Sequence, residues 1–156
     1  MRDLVDDPEG IPDDTLLYRR TSWSKLNPRG SGSAGDPCHE ITSNFFTDAP
    51  LEEARRYGFN RPCMSVGTSL VLGDQPKRML EKYPTMGLVV VVAGALRNLA
   101  KGDGPCPQGI MLAPTDEEPW HAVVFDLASA KRSGGAQKAI VKLAEVIVPL
   151  HFPRSF

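Results

Sequence analysis

The fold class depends on how the stretch MGLVVVVAGALRNLAKGDG, residues 86–104, is assigned, because its sequence fits both a helix and a strand. Six apolar residues recur at the spacing of one helical face: Leu88, Val91, Val92, Ala95, Leu96 and Leu99. Four consecutive valines, residues 89–92, instead favour a strand, because branching at Cβ restricts the side chain in a helix. We predict a strand over residues 87–92 followed by a helix over residues 93–101.

The rest of the chain contains further short strands and helices. Segments typical of strands are residues 15–20, 41–46, 63–72, 109–113, 121–125 and 146–150. Segments typical of helices are residues 47–58, 74–84 and 133–146. Thr47 or Asp48 can cap the first of these helices, Gly58 can end it, and Ser133 can cap the last. We predict a single α+β domain, with a mixed sheet of about six short strands and about four helices.

Two segments are predicted to lie outside the regular elements. Residues 1–14 contain seven charged residues, two prolines and a glycine, which is typical of a flexible N-terminal arm. The globular domain then spans residues 15–156. Residues 21–40 are rich in Ser, Gly, Asn and Pro and form a loop that is long for a compact domain, so we predict a lid or binding loop there.

Charge and hydropathy exclude several classes of partner. Lys and Arg number 18 and Asp and Glu number 19, so no bulk positive field attracts nucleic acid or an anionic membrane. The longest apolar run, residues 88–93, is far shorter than the roughly 18 residues that span a bilayer. The N-terminus turns acidic where a secretory signal turns apolar. We expect a cytoplasmic protein that binds neither nucleic acid nor membranes.

The three cysteines, Cys38, Cys63 and Cys106, are odd in number and widely spaced, which suits a reducing compartment rather than a disulfide framework. Structural zinc sites usually draw on close pairs such as C-x2-C, because one turn then positions two ligands. The chain has no such pair. We predict no metal site.

The candidate chemistry rests on scattered polar residues, since the chain contains no phosphate-binding loop, dinucleotide fingerprint, nucleophile elbow or zinc-protease motif. His121 follows the Pro-bounded segment PTDEEPW, residues 114–120, at the entrance of an apolar strand. It suits a general acid or base, a phosphate donor or a neutral core residue. The candidate ligand-binding residues are Arg20, Ser43, Ser65 and Arg97. A strand directs Arg19 and Arg20 to opposite faces, so at most one is expected in a given pocket.

Several short motifs resemble a group of short bacterial proteins to which no activity is assigned. They are LLYRR (16–20), TSNFF (42–46), MSV (64–66), GLVVVVAGALRNL (87–99) and PTDEEPWHAVV (114–124). The group tends to have a Ser-Ser-x-x-Phe stretch at the second of these positions and a Pro-x-x-x-x-Pro-x-His-Ala segment at the last. The resemblance implies a single cytoplasmic bacterial domain and no particular reaction.

A weaker resemblance is to the ADP-ribosyltransferases. These enzymes have an arginine on an early strand, as in LYRR (17–20), and a Ser/Thr-rich strand followed by a helix, as in residues 41–58. The resemblance implies NAD as the ligand, with Arg20 binding a phosphate through a charge-assisted bidentate contact. The chain departs from the family in having no Glu-x-Glu motif, since Glu117 and Glu118 are adjacent.

Two functions follow as hypotheses. The first is an accessory or binding protein, without a cofactor, that recognises a partner protein or a small anionic ligand; an exposed apolar patch around Trp23, Phe45, Phe46 or Trp120 would favour it. The alternative is a transferase or hydrolase acting on a nucleotide or phosphoester, with NAD under the second resemblance. Convergence of Arg20, Ser43 or Ser65, and His121 in one concave pocket would favour the enzyme.

Overall fold

The protein is an α+β domain built on one antiparallel sheet, in a computed structural model that describes residues 2–22, 25, 40–83 and 85–147. The strands are β1 (Leu16–Ser22), β2 (Met64–Thr68), β3 (Met86–Val92), β4 (Ala100–Lys101), β5 (Gly104–Pro105), β6 (Gln108–Leu112), β7 (His121–Asp126) and β8 (Glu145–Ile147). Six of them form the sheet in the order β6-β7-β2-β1-β3-β8, and β4 and β5 form a separate hairpin. The α+β class is confirmed, and every pairing within the sheet is antiparallel rather than mixed.

Short helices connect the strands. The four α-helices of the described residues are α1 (Leu51–Arg56), α2 (Ser69–Leu72), α3 (Ala93–Arg97) and α4 (Gly134–Val141). Two 3-10 helices span Ser43–Phe46 and Pro76–Leu80. The second of these lies within the predicted helix 74–84. The predicted cap of α4 is present, since the Oγ of Ser133 accepts a hydrogen bond from the Ala136 amide at 3.1 Å.

The stretch 86–104 is a strand followed by a helix, as predicted. Val89 and Val91 are buried on one face of β3, and Leu88 is buried on the other. Helix α3 follows at once but ends at Arg97, four residues earlier than predicted, because the chain turns there into the β4–β5 hairpin. Gly104 closes that hairpin with φ near +139°, a conformation that glycine adopts readily.

Three local predictions were wrong. The predicted strand 41–46 contains a 3-10 helix instead, because Phe45 and Phe46 both turn into the core. The predicted strand 63–72 ends at Thr68 and continues as α2. Neither Thr47 nor Asp48 caps α1, whose N-cap position is Pro50. The Asp48 carboxylate binds the buried side chain of Arg132 instead.

Both faces of the sheet are covered. One face carries Leu17, Met64, Val66 and Val124 in a core shared with α3, α4 and the first 3-10 helix. The other face packs in two clusters: Val123 and Phe125 against Phe59, and Tyr18 and Leu88 against Met79 and Leu80. Side chains that point to either face of the central strands are therefore enclosed unless a gap opens in the sheet.

The N-terminal segment, predicted as a flexible arm outside the domain, contacts the sheet in its described part. Ile11 has no exposed surface and belongs to the main core. The Oδ1 atom of Asp6 accepts a hydrogen bond from the Ile110 amide at 2.9 Å, at the outer edge of β6. These contacts make residues 6–11 part of the packed domain.

The predicted loop 21–40 falls largely outside the described residues, apart from Thr21 and Ser22, which end β1, and residues 25 and 40. Within the described ranges, none of the helices has the length and hydropathy needed to cross a bilayer.

Candidate functional site

A gap opens in the sheet between β1 and β2. Strand β1 pairs with β3 along its whole length, but it pairs with β2 only at Leu17 and Tyr18. Beyond Tyr18 the two strands separate, and the guanidinium group of Arg19 lies between them. Its Nη1 donates to the carbonyl of Ser65 at 2.9 Å, and its Nε donates to the carbonyl of Phe45 at 3.0 Å. Arg19 thus links β1 to β2 at the point where the two strands no longer pair.

A cleft of about 820 Å³ lies at this gap. This volume falls within the range of roughly 300–1,000 Å³ that is usual for small-molecule sites. The lining includes Arg19, Arg20, Tyr57, Ser65, Thr115 and Glu118. Arg19 and Arg20 both line the cleft, contrary to the prediction that at most one of two successive strand residues would, because the Arg19 side chain lies against the Ser65 carbonyl of β2.

Ser65 and His121 form a pair beside this cleft. In the register of β2 and β7, His121 lies opposite Gly67, so Ser65 is its diagonal neighbour on the same face of the sheet. The imidazole bridges this diagonal, and its Nε2 lies 3.0 Å from the Oγ of Ser65. A small cavity of about 30 Å³ is lined by both side chains and by Arg19 and Arg20.

The contacts of His121 define which ring nitrogen carries the proton. Its Nδ1 lies 2.7 Å from the carbonyl oxygen of Ala113, and a carbonyl can only accept, so Nδ1 is the donor. In the neutral ring Nε2 then has a free lone pair that accepts the hydroxyl hydrogen of Ser65. Tyr57 stacks on the ring, with centroids 4.2 Å apart and planes 15° apart, and fixes its plane.

Burial keeps this imidazole neutral. His121 is 2% exposed, and burial lowers its pKa below the ordinary value of 6.5, against the opposing effects of the Ala113 hydrogen bond and of Glu118. Only one of its nitrogens bonds the backbone; the other faces a half-buried serine. The ring therefore has the tautomer, orientation and charge state of a general base directed at a hydroxyl group.

Arg20 lies next to the pair. Its Nη1 is 3.1 Å from the Oε2 of Glu118, its guanidinium carbon is 4.0 Å from the centre of the Tyr83 ring, and about a fifth of its side chain is exposed. Among the described residues, Arg20 bonds through Nη1 alone, to Glu118 and to the Met79 carbonyl. This leaves Nε and Nη2, the side of the guanidinium that forms bidentate contacts with phosphate or carboxylate oxygens.

The other two candidate ligand-binding residues lie elsewhere. Ser43 begins the first 3-10 helix and is not among the residues that line the cleft. Arg97 binds the N-terminal segment, through Asp6 at 3.1 Å, Asp13 at 2.8 Å and the carbonyl of Ile11 at 2.7 Å. Its side chain anchors the N-terminal segment and is not among those that line the cleft, so the ligand-binding role of Arg97 stays a prediction.

The structure adds two groups that the sequence analysis did not name, Tyr57 and the carbonyl of Ala113, and it places Arg19 in the cleft together with Arg20. No local signal marks Tyr57, which directly follows α1 at its C-cap position. The role of the Ala113 carbonyl could not be predicted from the sequence, because every residue has a backbone carbonyl. Only the separation of β1 from β2 brings Arg19 into the cleft.

The two cysteines among the described residues supply no reactive group here. Cys63 and Cys106 are buried free thiols, and burial raises the pKa of Cys63 to about 11, so it stays protonated. In the part of the chain that the structure describes, no group of three or more His, Cys, Asp or Glu side chains is arranged to hold a metal ion.

Comparison with known protein families, with curated proteins and with solved structures finds no match for this chain. The resemblances to short bacterial proteins and to ADP-ribosyltransferases therefore stay predictions.

Proposed function

We propose that the protein is a hydrolase or transferase that acts on a small phosphoester in the cleft between β1 and β2. The observation that carries this proposal is the Ser65–His121 contact, with the second ring nitrogen held by the Ala113 carbonyl. A nucleophile, a base and a group that orients the base are thereby aligned in one chain of hydrogen bonds. The orienting group is a backbone carbonyl rather than a carboxylate.

In this reaction Ser65 is the nucleophile. His121 Nε2 removes the proton of the Ser65 hydroxyl, and Oγ attacks the phosphorus atom. The bond from phosphorus to the leaving oxygen breaks, and that oxygen takes the proton from Nε2. Water or an acceptor alcohol then gives its proton to Nε2 and attacks the phosphorus atom. The bond from phosphorus to Oγ breaks, and Oγ takes the proton back from Nε2, which restores the Ser65 hydroxyl and the neutral ring. The Nδ1 proton stays on the ring throughout, bonded to Ala113.

Two arginines supply positive charge where the phosphoryl oxygens would lie. Burial, and then the charges of Arg132 and Arg20, lower the pKa of Arg19 to about 10, so Arg19 is still charged at neutral pH. The described residues contact Arg20 through Nη1, so within this part of the chain Nε and Nη2 remain for a ligand. Five carboxylates also line the cleft. Those of Glu53, Asp116 and Glu117 belong to exposed residues, where water and salt screen them, whereas Asp48 pairs with Arg132 and Glu118 pairs with Arg20.

Simple binding of an anionic ligand remains the second candidate, since it uses the same two arginines. Recognition of a partner protein has less support. Phe45 and Phe46 are buried in the core, and Trp120 is half-buried with Arg78 lying over its ring at 5.5 Å. Trp23 lies outside the described residues.

Hydrolysis of p-nitrophenyl phosphate by the full chain tests the proposal. Because a positioned base contributes about 10²–10⁴-fold, we expect Ser65→Ala and His121→Gln each to lower kcat/KM by about 10³-fold. Ser43→Ala is the matched control and should keep wild-type activity. Mass spectrometry after an acid quench should find a phosphoryl group on Ser65. Absence of turnover, or turnover that survives Ser65→Ala, would contradict the proposal.

A further inference from the structure

A second pocket adjoins the Ser65–His121 pair. It encloses about 330 Å³, and its lining includes Arg20, Arg78, Met79, Tyr83, Glu118 and Trp120. This is small for a complete ligand, since small-molecule sites run from roughly 300 to 1,000 Å³. It is large enough for one planar ring system. The pocket therefore suits part of a substrate whose remainder lies in the cleft.

The two spaces share a wall. Four residues line both this pocket and the small cavity at Ser65 and His121: Arg20, Met79, Glu118 and Trp120. Arg20 also lines the cleft. A ligand that occupies both spaces would have Arg20 beside its middle. Its negatively charged group would lie beside Arg20 and Ser65, and its neutral group would lie in the second pocket.

The lining of the second pocket is chemically suited to a planar base. Arg20 lies over the ring of Tyr83 at 4.0 Å, and Arg78 lies over the ring of Trp120 at 5.5 Å. Aromatic rings and guanidinium planes are the two kinds of protein surface on which nucleobases stack. The Nε1–H of Trp120 is buried and has no hydrogen-bond partner in the described part of the chain.

Gly67 makes room for this arrangement. A Cβ atom at residue 67 would overlap the sulfur of Met79 and lie 3.0 Å from Cδ1 of Trp120. The absence of a side chain therefore lets both residues pack directly on β2, next to Ser65. Gly67, on which these two pocket residues pack, and Ser65 of the pair lie two residues apart on β2.

We propose that the second pocket binds the base of a nucleotide, whose phosphate reaches Arg20 and Ser65. The assignment of the reacting end rests on the proposed function, while the base pocket rests on Tyr83, Trp120 and their arginines. The carboxylates of Asp116 and Glu117, which also line the pocket, accept hydrogen bonds from an exocyclic amino group, so adenine is the base to test first.

Calorimetric titration of the Ser65→Ala variant of this chain tests the proposal with two probes, AMP and ribose 5-phosphate. Stacking contributes about 1–3 kcal/mol per base, so we expect AMP to bind about 5- to 150-fold more tightly than ribose 5-phosphate. Tyr83→Leu and Trp120→Leu in the same background should lower AMP affinity to that of ribose 5-phosphate and leave the latter unchanged. Leu143→Ala is the control, since Leu143 and Tyr83 are equally exposed, at 40% and 41%.

The outcomes separate this inference from the proposed function. Equal affinity for AMP and ribose 5-phosphate would overturn the base pocket, as would an AMP preference that survives both aromatic substitutions. Tyr83 is exposed, so Tyr83→Leu stays informative even if Trp120→Leu fails to fold. A preference for AMP that Tyr83→Leu abolishes would support the base pocket even where no phosphoester is hydrolysed.

Discussion

The Nε2 atom of His121 lies 3.0 Å from the Oγ of Ser65, although the two residues are 56 positions apart in the chain. Their contact depends on the register of β2 and β7, which sets Gly67 rather than Ser65 opposite the histidine. The diagonal offset lets the imidazole lie between Ser65 on one side and the carbonyl of Ala113 on the other.

The first prediction concerns the protonation of His121. Its pKa is lowered by burial, so we expect its ring protons to titrate with a midpoint below pH 6.5 in NMR spectra of the folded protein. His121→Gln identifies the signal by its disappearance. A midpoint at or above 6.5 would show that the ring is not held neutral.

The same shift predicts how stability depends on pH. The unfolded chain binds the His121 proton at a higher pH than the folded chain does, so this stabilising contribution is complete above pH 6.5 and is lost as the pH falls toward the folded pKa. We expect the urea midpoint of the wild type to fall more between pH 7.5 and pH 5 than that of His121→Gln. Parallel decreases in both proteins would argue against the prediction.

The third prediction concerns the ion pair of Asp48 and Arg132, whose side chains are 1% and 0% exposed. Arg132 also donates to Gln108 at 2.8 Å and to the Val124 carbonyl at 3.0 Å. Because Asp48→Asn leaves a buried charge without its counterion, we expect a loss of about 3–5 kcal/mol in the free energy of unfolding. Urea denaturation measures it.

A surface pair provides the control for this substitution. Lys101 and Asp103 are 3.8 Å apart, with side chains 30% and 80% exposed. Water screens such a pair, so Asp103→Asn should change the free energy of unfolding by less than about 1 kcal/mol. Similar small losses in both variants would mean that Asp48 does not neutralise Arg132.

The last prediction concerns the attachment of the N-terminal segment through Arg97. In Arg97→Met the carboxylates of Asp6 and Asp13 lose their partner, so we expect a protease that cuts beside acidic residues to cleave there about tenfold faster. Phosphoester hydrolysis should be unchanged, because Arg97 does not line the cleft. Arg55→Met, on the exposed side of α1, is the control. Equal cleavage of Arg97→Met and wild type would refute the anchoring role.

Most strands could be predicted because their evidence is local. Four valines outweighed the helical spacing of residues 86–104, and the six-residue run from His121 to Asp126 is buried on both faces as its apolar composition indicates. Residues 41–46 were wrongly predicted as a strand because their aromatic content is typical of one. In the structure both phenylalanines point into the core from a 3-10 helix. Asp48 was wrongly predicted as a possible helix cap, because its carboxylate binds the buried side chain of Arg132 instead.

The candidate site could be predicted only in part. Arg20, Ser65 and His121 stood out as polar residues in short strands, whereas Arg97 stood out equally and proved to anchor the N-terminal segment. Nothing local distinguishes a polar side chain that faces a cleft from one that holds two segments together. That difference depends on which groups lie opposite it in the fold.

The sequence by itself determined the α+β class, the positions of most strands and the three polar residues around which the site forms. These follow from backbone preferences and hydrophobic patterns that lie within a few neighbouring residues. Tertiary structure alone decided that β1 separates from β2 after Tyr18, that Arg19 enters the gap, and that His121 meets both Ser65 and Ala113. Each of these contacts joins residues from separate segments, so its geometry depends on strand register and on packing across the whole sheet.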